Sequence, residues 1–295
     1  MFYRMPEIEY LRVSGLEEAL QILSRKEDTK VLAGGTDLVV DMKVGRYKPK
    51  VVLDITGVKE LRFILDEGDR IRIGALTRIQ EIVESSIVRR KIPVLAEALS
   101  ELGSWQIRNM ATIGGNLCNA SPAADSAPPL LVHEAKARLT SLEGFRSIPL
   151  TEFFLGPRKT VMRATELLYE VEIPYDEDFA KGYSYLKIGR RNSFTLSVVS
   201  SATVLKTSDG RFNEVRLALN SVAPTPVRAR SVESFLKGKE IRGGIIEEAA
   251  ELVVNDISPI SDVRASAGYR RHVSKVLVKE VLTKALTRLK EAGGD

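Results

Sequence analysis

The fold of this chain is decided by two short stretches, Val31-Leu32-Ala33-Gly34-Gly35-Thr36-Asp37-Leu38 and Ala111-Thr112-Ile113-Gly114-Gly115-Asn116. In each stretch, two adjacent glycines follow apolar residues and precede a short polar side chain. Paired glycines let the main chain approach a ligand closely and turn successive N–H groups towards an anion. A polar segment with the sequence NASPAAD, residues 119–125, follows the second stretch. Together these segments predict a pyrophosphate that is held from two sides.

Each stretch also has a plainer interpretation. The first can be a glycine turn between a strand and a helix. The second can be a structural loop in which Asp125 caps a helix that begins at Ser126. Thr36 and Asp37 favour a ligand, because a hydroxyl and backbone N–H groups satisfy phosphate oxygens and a carboxylate can accept from a ribose. In the second stretch, Asn116 can donate to one oxygen and accept elsewhere.

The spacing of the first stretch excludes the two commonest phosphate-binding motifs. No Lys-Ser or Lys-Thr pair follows its glycines, as a Walker A loop requires. The Gly-x-Gly-x-x-Gly pattern of a Rossmann unit is also missing, and the helix expected after the strand is short. A nucleotide bound here therefore needs another kind of fold.

Composition is typical of a globular protein and excludes several classes of function. The chain has 295 residues, of which 44% are apolar and 28% charged, and its formal charge of +5 is spread among interleaved acids and bases. This pattern does not indicate a nucleic-acid partner. The single cysteine, Cys118, cannot form an intramolecular disulfide or hold a metal cluster within this chain. With only His133 and His272 as histidines, we expect no metal site and no histidine-based triad.

Hydropathy gives no sign of targeting or of a membrane span. The first residues are mixed and polar, without the apolar core of a signal peptide. No run of about 18 apolar residues occurs. We therefore expect a cytoplasmic location.

Periodicity and turn residues predict an α+β fold. A capping box at Ser14-Gly15-Leu16-Glu17 predicts a helix over residues 16–25, and a second box at Thr77-Arg78-Ile79-Gln80 predicts another. An acidic link at residues 174–178 marks the expected domain boundary. Beyond it, three strands (182–188, 194–206 and 214–222) predict an antiparallel sheet, and three helices follow (231–236, 244–255 and 266–290).

Three single residues have competing interpretations. Cys118 is expected to be a small buried hydrophobe, because one thiol has no partner for redox chemistry. Trp105, just before the second stretch, is more often a core residue than a cofactor contact. Lys187 can balance a pyrophosphate or a flavin edge, although a solvated lysine is the better interpretation from the sequence alone.

The two stretches, in this order and with the segment that follows them, resemble the FAD-binding medium subunits of molybdenum hydroxylases, the relatives of xanthine dehydrogenase and carbon monoxide dehydrogenase. The similarity covers nearly the whole chain and includes the Glu172-Ile173-Pro174 strand end and the Tyr-x-Leu-Lys pattern from Tyr185. It implies an FAD-binding domain of the vanillyl-alcohol-oxidase type over residues 1–175, in two subdomains of about 1–57 and 58–175. It also implies a C-terminal domain over 176–295, with a three-stranded antiparallel sheet and helices.

The resemblance assigns the FAD-contacting residues by position. It implies that the first wall of the FAD site consists of Val31, Leu32, Ala33, Gly34, Gly35, Thr36, Asp37 and Leu38. It implies that the second wall and the flavin surroundings include Leu102, Gly103, Thr112, Ile113, Gly114, Gly115, Asn116, Asp125, Leu168, Tyr185 and Lys187. Leu102 stands where the family has an aromatic residue, so that contact departs from the family pattern.

The resemblance implies an electron-transfer role and two partners. A small subunit with two [2Fe–2S] clusters would pass electrons to FAD, and a large molybdopterin subunit would oxidise the substrate. FAD would then reduce NAD⁺, a quinone or another acceptor, with no catalytic acid, base or nucleophile in this chain. The likeness implies a dimer of heterotrimers. Two alternatives stay open: a stand-alone flavoprotein oxidase acting directly on a small substrate, and a scaffolding subunit that has lost its cofactor.

Overall fold

The computed structural model describes residues 5–191 and 194–293 and combines helices with four separate sheets. Its strands are β1 (Glu9–Arg12), β2 (Thr29–Leu32), β3 (Val51–Asp54), β4 (Ile64–Asp66), β5 (Arg70–Gly74), β6 (Lys136–Ser141), β7 (Gly144–Pro149), β8 (Phe154–Gly156), β9 (Lys159–Thr160), β10 (Leu167–Pro174), β11 (Tyr183–Gly189), β12 (Ser197–Ser208), β13 (Arg211–Asn220) and β14 (Val227–Arg228).

Most of the helices are short. They are α1 (Leu16–Arg25), α2 (Leu38–Lys43), α3 (Ile79–Glu84), α4 (Ser86–Lys91), α5 (Pro93–Ser100), α6 (Trp105–Met110), α7 (Ile113–Cys118), α8 (Ala127–Val132), α9 (Leu150–Phe153), α10 (Arg230–Leu236), α11 (Ile245–Glu251) and α12 (Ala267–Glu291). Short 3₁₀ turns lie at Lys59–Leu61, Asp178–Ala180 and Leu252–Asn255.

The first sheet is parallel and has the order β1-β3-β2. Its central strand β3 is buried along its whole length, as expected for the apolar run that forms it. Helix α1 packs Ala19, Leu20 and Leu23 into a small core beneath this sheet. The strand β2 ends at Leu32, and the chain then enters the first glycine pair. The sheet therefore holds one end of that loop in place.

The second sheet, with the order β4-β5-β10-β6-β7, is antiparallel and carries the largest core. Its central strand β10 pairs with β5 on one side and β6 on the other. On the face of this sheet, Glu170 is fully buried between the guanidinium groups of Arg72 and Arg138. The helices α3, α4, α5, α7 and α8 contribute side chains to this core, and α5 and α8 also contact strands of the third sheet. Helix α7 packs on β10 and carries the second glycine pair.

The third sheet corrects one expectation. It has four strands in the order β11-β12-β13-β14, not three. The extra strand β14 has two residues and pairs antiparallel with the end of β13. So short a strand leaves no alternation for a sequence pattern to detect. The long helix α12 packs on β11 and β12 over a separate core.

Both predicted helices form, but the residues predicted for their capping boxes are wrong, and at α3 the Glu81 half of a box lies one residue beyond the predicted position. Helix α1 has Gly15 at its N-cap without a side-chain bond, and the Leu16 N–H donates instead to the Glu60 carboxylate at 3.2 Å. At α3, the N-cap is Arg78 and its N–H donates to Glu81 at 3.1 Å. The Thr77 hydroxyl instead donates to the Phe63 carbonyl at 2.9 Å. The tertiary contacts of each helix start decide these bonds.

Among the described residues, no helix combines the length and the apolar character that a bilayer crossing needs.

Candidate functional site

The first glycine stretch forms an open wall between β2 and α2. Gly35 has a φ of +72°, which favours glycine, and residues 31–36 are all half-buried. In the described part of the chain, the N–H groups of Gly34, Gly35, Thr36 and Asp37 donate to no protein acceptor. Buried or half-buried N–H groups without a partner are costly, so a row of them is typical of a place where another group supplies the acceptors.

The second glycine stretch differs from the expected loop. It is the first turn of α7, and Thr112 is its N-cap: the Thr112 hydroxyl accepts from the Gly115 N–H at 3.1 Å. The Ile113 and Gly114 N–H groups donate to the carbonyls of Thr77 and Ala75. A clamp of backbone N–H groups was expected on both sides of the site. Of the two stretches, the first has a row of free N–H groups, whereas the N–H groups of Ile113, Gly114 and Gly115 are already bonded. The second wall offers side chains and a helix start instead.

Glycine is required where these two walls meet the rest of the protein. A Cβ on Gly34 would lie 1.9 Å from the Met110 carbonyl oxygen, just before the second stretch. A Cβ on Gly114 would lie 2.7 Å from the Ala75 carbonyl oxygen. Heavier residues at either position would push the backbones apart. Gly34 therefore brings the two walls into contact, and Gly114 seats the second wall on the second sheet.

A buried polar cluster lies beyond the second wall, centred on Asp125. Its carboxylate accepts from the Lys187 ammonium at 2.6 Å, the Ser197 hydroxyl at 2.7 Å and the Tyr185 hydroxyl at 3.0 Å. Lys187 also donates to the Glu101 carbonyl at 3.1 Å. The Lys187 and Asp125 side chains are only 4% and 6% exposed, so Lys187 is not the solvated lysine that the sequence favoured.

Tyr185 and Glu101 show the electrostatics of this cluster. Burial and the neighbouring Asp125 charge raise the pKa of the Tyr185 hydroxyl well above its ordinary value, so it stays protonated and donates. Partial removal from water raises the pKa of the Glu101 carboxyl, while the Lys187 charge acts in the opposite direction. The cluster therefore contains one buried, paired ammonium and one tyrosine hydroxyl that stays protonated.

The loop that carries Asp125 is fastened to the third sheet. The Ser221 N–H donates to the Pro122 carbonyl at 2.7 Å, and the Asn220 side chain donates to the Ala124 carbonyl at 2.9 Å. Asn116, on the second wall, accepts from the Ser126 hydroxyl at 2.6 Å through its side-chain oxygen. The site thus combines groups from the first, second and third sheets.

Most of the remaining residues that were predicted to contact FAD are buried. Leu102 and Leu168 are 9% and 4% exposed and pack in the large core of the second sheet. Gly103 has a φ of +53° and precedes α6. Tyr185 is 2% exposed, so what it offers the site is its bond to Asp125 rather than an open ring face. Whether these residues contact FAD stays a prediction.

Of the other two single-residue interpretations, that of Trp105 is wrong and that of Cys118 is confirmed in part, because Cys118 packs against the large core. Trp105 is 59% exposed on α6, a helix with no buried residue, and is not part of the core. Cys118 is half-buried with its sulfur 3.5 Å from the Met162 sulfur, and desolvation raises the pKa of its thiol to about 12. A protonated thiol in this position has no redox reactivity to offer.

Sequence reasoning missed Ser197 and the Glu101 carbonyl. Ser197 begins β12, far along the chain from Asp125, and a serine at a strand start carries no signal of its own. A main-chain carbonyl carries none at all. Only the folded arrangement identifies them.

The donor set fits a pyrophosphate-bearing cofactor. Four free N–H groups and the Thr36 hydroxyl are suitable donors for phosphate oxygens, and the glycines keep side chains out of the cleft between the walls. Within residues 5–191 and 194–293, no group of three or more His, Cys, Asp or Glu side chains could hold a metal ion. The arrangement can bind and orient a cofactor.

Comparisons with known proteins agree along the whole chain. Residues 6–176 match the family described as the FAD binding domain in molybdopterin dehydrogenase, and residues 184–285 match the CO dehydrogenase flavoprotein C-terminal domain. The xanthine dehydrogenase FAD-binding subunit of Escherichia coli O157:H7 is 34% identical over 286 residues, covering 97% of both chains. The glyceraldehyde dehydrogenase medium chain of Sulfolobus acidocaldarius is 35% identical over 272 residues, covering 92% of this chain and 96% of the other.

A solved structure supports the same assignment. A chain of the carbon monoxide dehydrogenase from Hydrogenophaga pseudoflava, in a form that lacks the Mo-pyranopterin moiety, superposes with a TM-score of 0.93 at 32% identity. The match covers 97% of this chain and 99% of that one. This protein therefore belongs to the family of FAD-binding medium subunits of the xanthine and carbon monoxide dehydrogenases, and it is the flavoprotein component of a molybdopterin-dependent oxidoreductase.

Proposed function

We propose that this chain is the electron-transfer subunit of a heterotrimeric molybdenum hydroxylase. In this proposal, [2Fe–2S] clusters of a small subunit deliver electrons to FAD on this chain, and NAD⁺ or another acceptor removes them. A large molybdopterin subunit oxidises the substrate, and two heterotrimers pair. Relatives named as medium chains and FAD-binding subunits support a multi-subunit enzyme.

The main support for the proposed position of FAD is the row of unpaired N–H groups from Gly34 to Asp37. We infer that these groups bind the pyrophosphate, with Thr112 and Asn116 contributing from the second wall. Lys187 and Asp125 would hold the far end of the site in place through Tyr185 and Ser197. When bound, FAD supplies the redox chemistry, and this chain binds it, orients it and excludes water around it.

We also propose a division of the chain that follows the family. Residues 1–175 would form the FAD-binding domain, with subdomains 1–57 and 58–175 of the vanillyl-alcohol-oxidase type, and 176–295 would form the C-terminal domain. One hydrophobic core lies wholly within the proposed C-terminal domain and supports that part of the division. The other two cores cross the proposed boundaries, since the small core of the first sheet includes Leu76 and Leu167 and the large core includes Tyr185 and Ala202. A lone, unpaired cysteine suits a reducing compartment, and we propose the cytoplasm.

The composition of the native complex tests the role. Affinity purification of the tagged chain from its source cells should recover two further subunits, with about four irons and one molybdenum per FAD if two [2Fe–2S] clusters are present. The chain purified alone should bind FAD and show no oxidation of purines, aldehydes or N-heterocycles with an artificial acceptor. Substrate oxidation by the lone chain would instead support the stand-alone oxidase. A chain that cannot be loaded with FAD would favour the scaffolding role.

A charge placed on the first wall tests the position of FAD. Thr36 is half-buried and lies among the free N–H groups, so Thr36→Glu places a carboxylate beside the proposed pyrophosphate. Two unit charges about 5 Å apart repel by about 1.7 kcal/mol at an effective dielectric constant of about 40, which is about twentyfold in affinity. Fluorescence titration of the FAD-free chain with FAD measures this loss of affinity. The control is Thr283→Glu on the exposed side of α12, which should bind FAD normally.

A further inference from the structure

Arg158 lies in the turn between β8 and β9 and has an unusual backbone. Its φ is +60°, in the left-handed region that a residue with a Cβ rarely adopts. Its N–H donates to the Ala120 carbonyl at 2.9 Å, just after the second wall ends in α7. The surrounding contacts hold the residue in this conformation, and they place its guanidinium between two other segments.

The Arg158 side chain contacts the segments that follow both walls. Its Nη1 donates to the Asp41 carboxylate at 2.5 Å and to the Asn119 side-chain oxygen at 3.0 Å. Asp41 lies in α2, which continues the first wall, and Asn119 is the C-cap of α7, which continues the second. In this ion pair the Asp41 side chain is buried, with 6% exposed, whereas the Arg158 side chain is partly exposed.

Main-chain bonds extend this bridge to the walls themselves. The Asp41 N–H donates to the Asp37 carbonyl at 2.9 Å, and the Asn119 N–H donates to the Gly115 carbonyl at 3.0 Å. A continuous set of bonds therefore runs from Asp37 through Asp41, Arg158 and Asn119 to Gly115. Partial removal from water raises the pKa of the Asp37 carboxyl, and the Arg158 charge acts in the opposite direction, so the guanidinium also acts on the first wall through its field.

The two walls are thus joined at two places. At one, Gly34 packs directly on the Met110 carbonyl. At the other, the Arg158 side chain spans the interval between Asp41 and Asn119. A change in the second junction would alter the separation of the walls without removing any group that we place on the pyrophosphate.

We propose that Arg158 is a positioning residue for the FAD cleft, because its bonds to Asp41 and Asn119 set the spacing of the two walls. This inference rests on the proposed position of FAD between them. It assigns a role in cofactor binding to a residue outside both glycine stretches.

The test compares FAD affinity among variants of the full chain, at a temperature where circular dichroism shows each to be folded. Arg158→Ala should weaken FAD binding about tenfold, equivalent to about 1.4 kcal/mol. Arg158→Lys, which keeps the charge and a donor, should recover most of the affinity. Arg163→Ala is the matched control, because the Arg163 side chain is 64% exposed and, among the described residues, forms its ion pair with the exposed Glu143 at 3.6 Å.

A second readout separates positioning from general stabilisation. At saturating FAD, the visible circular dichroism of the flavin should differ between Arg158→Ala and the unaltered chain and be the same in Arg163→Ala. Should Arg158→Ala not fold, Asn119→Ala removes one side of the bridge at a half-buried position and should weaken FAD about threefold, with its own altered dichroism.

Failure of the proposed position of FAD and failure of the role of Arg158 give different results. If Thr36→Glu binds FAD normally, FAD does not lie on the first wall, and the proposed position fails. If Thr36→Glu loses FAD while Arg158→Ala, or Asn119→Ala in its place, binds within twofold of the unaltered chain with the same dichroism, the position stands and the role of Arg158 is refuted.

Discussion

The Asp125–Lys187 pair supplies the sharpest quantitative prediction, for the variant Asp125→Asn. The two charges are 2.6 Å apart and their side chains are almost fully buried. Removing one partner of a buried pair leaves the other charge without compensation, at a cost of about 3–5 kcal/mol. Asparagine keeps the shape and one acceptor oxygen for Tyr185 or Ser197. We therefore expect the free energy of unfolding to fall by about 3 kcal/mol, the lower end of that range.

Thermal unfolding of the FAD-free chain, followed by circular dichroism, measures this cost. For a chain of this size, 1 kcal/mol corresponds to a shift of about 2–4 °C in Tm, so Asp125→Asn should lower Tm by roughly 6–12 °C. The control is Glu251→Gln, which breaks the exposed pair of Glu251 with Lys275 and should change stability by less than about 1 kcal/mol.

A double-mutant cycle shows whether the pair itself causes the loss. Lys187→Met alone should also destabilise, because it leaves the buried Asp125 carboxylate with hydroxyl donors only. The double variant Asp125→Asn with Lys187→Met removes both charges and should lose much less than the sum, with a coupling of about 2–3 kcal/mol. Additive losses, or a Tm shift for Asp125→Asn no larger than that of Glu251→Gln, would refute the reasoning.

Two further predictions concern the wall junction and an ion pair. Gly34→Ala places a Cβ against the Met110 carbonyl, so it should cost about 1–3 kcal/mol and weaken FAD binding in a titration, whereas Gly15→Ala, with open space around it, should do neither. A bond from Arg146 lowers the pKa of Glu166, so this stabilisation is complete above the unfolded pKa of about 4.5 and is lost as the pH falls through the lower folded value. Urea unfolding should therefore show Glu166→Gln about 1.5 kcal/mol less stable at pH 7 and the difference shrinking below pH 4.5; a gap independent of pH would contradict this assignment.

Much of the fold could be predicted because its signals are local. Helix α1 occupies the predicted residues 16–25, since its apolar positions recur at helical spacing on one face. The strands β11, β12 and β13 begin and end within three residues of the expected bounds 182–188, 194–206 and 214–222, because alternation and turn residues act over short distances. Where a signal was short or ambiguous, as at the two-residue strand β14, prediction failed.

Other parts depend on residues that are distant in sequence. Glu60 replaces Ser14 at the start of α1, and Phe63 takes the Thr77 hydroxyl away from α3, because each hydrogen bond goes to the partner that packing brings nearest. Trp105 is exposed although an aromatic residue is usually buried, because α6 contacts α3 without burying any of its own residues. Exposure is a property of the assembled surfaces and not of the residue type.

By itself, the sequence determined the two glycine pairs, their order and the polar residues beside them. These features were enough to identify the family and its cofactor, FAD. It could do so because a glycine pair is a local requirement for close approach of the main chain. Only the tertiary structure decided which N–H groups stay free, that Gly34 touches Met110, and that Lys187 is paired with Asp125. Those outcomes depend on which distant segments the sheets bring together, so no stretch of sequence contains them.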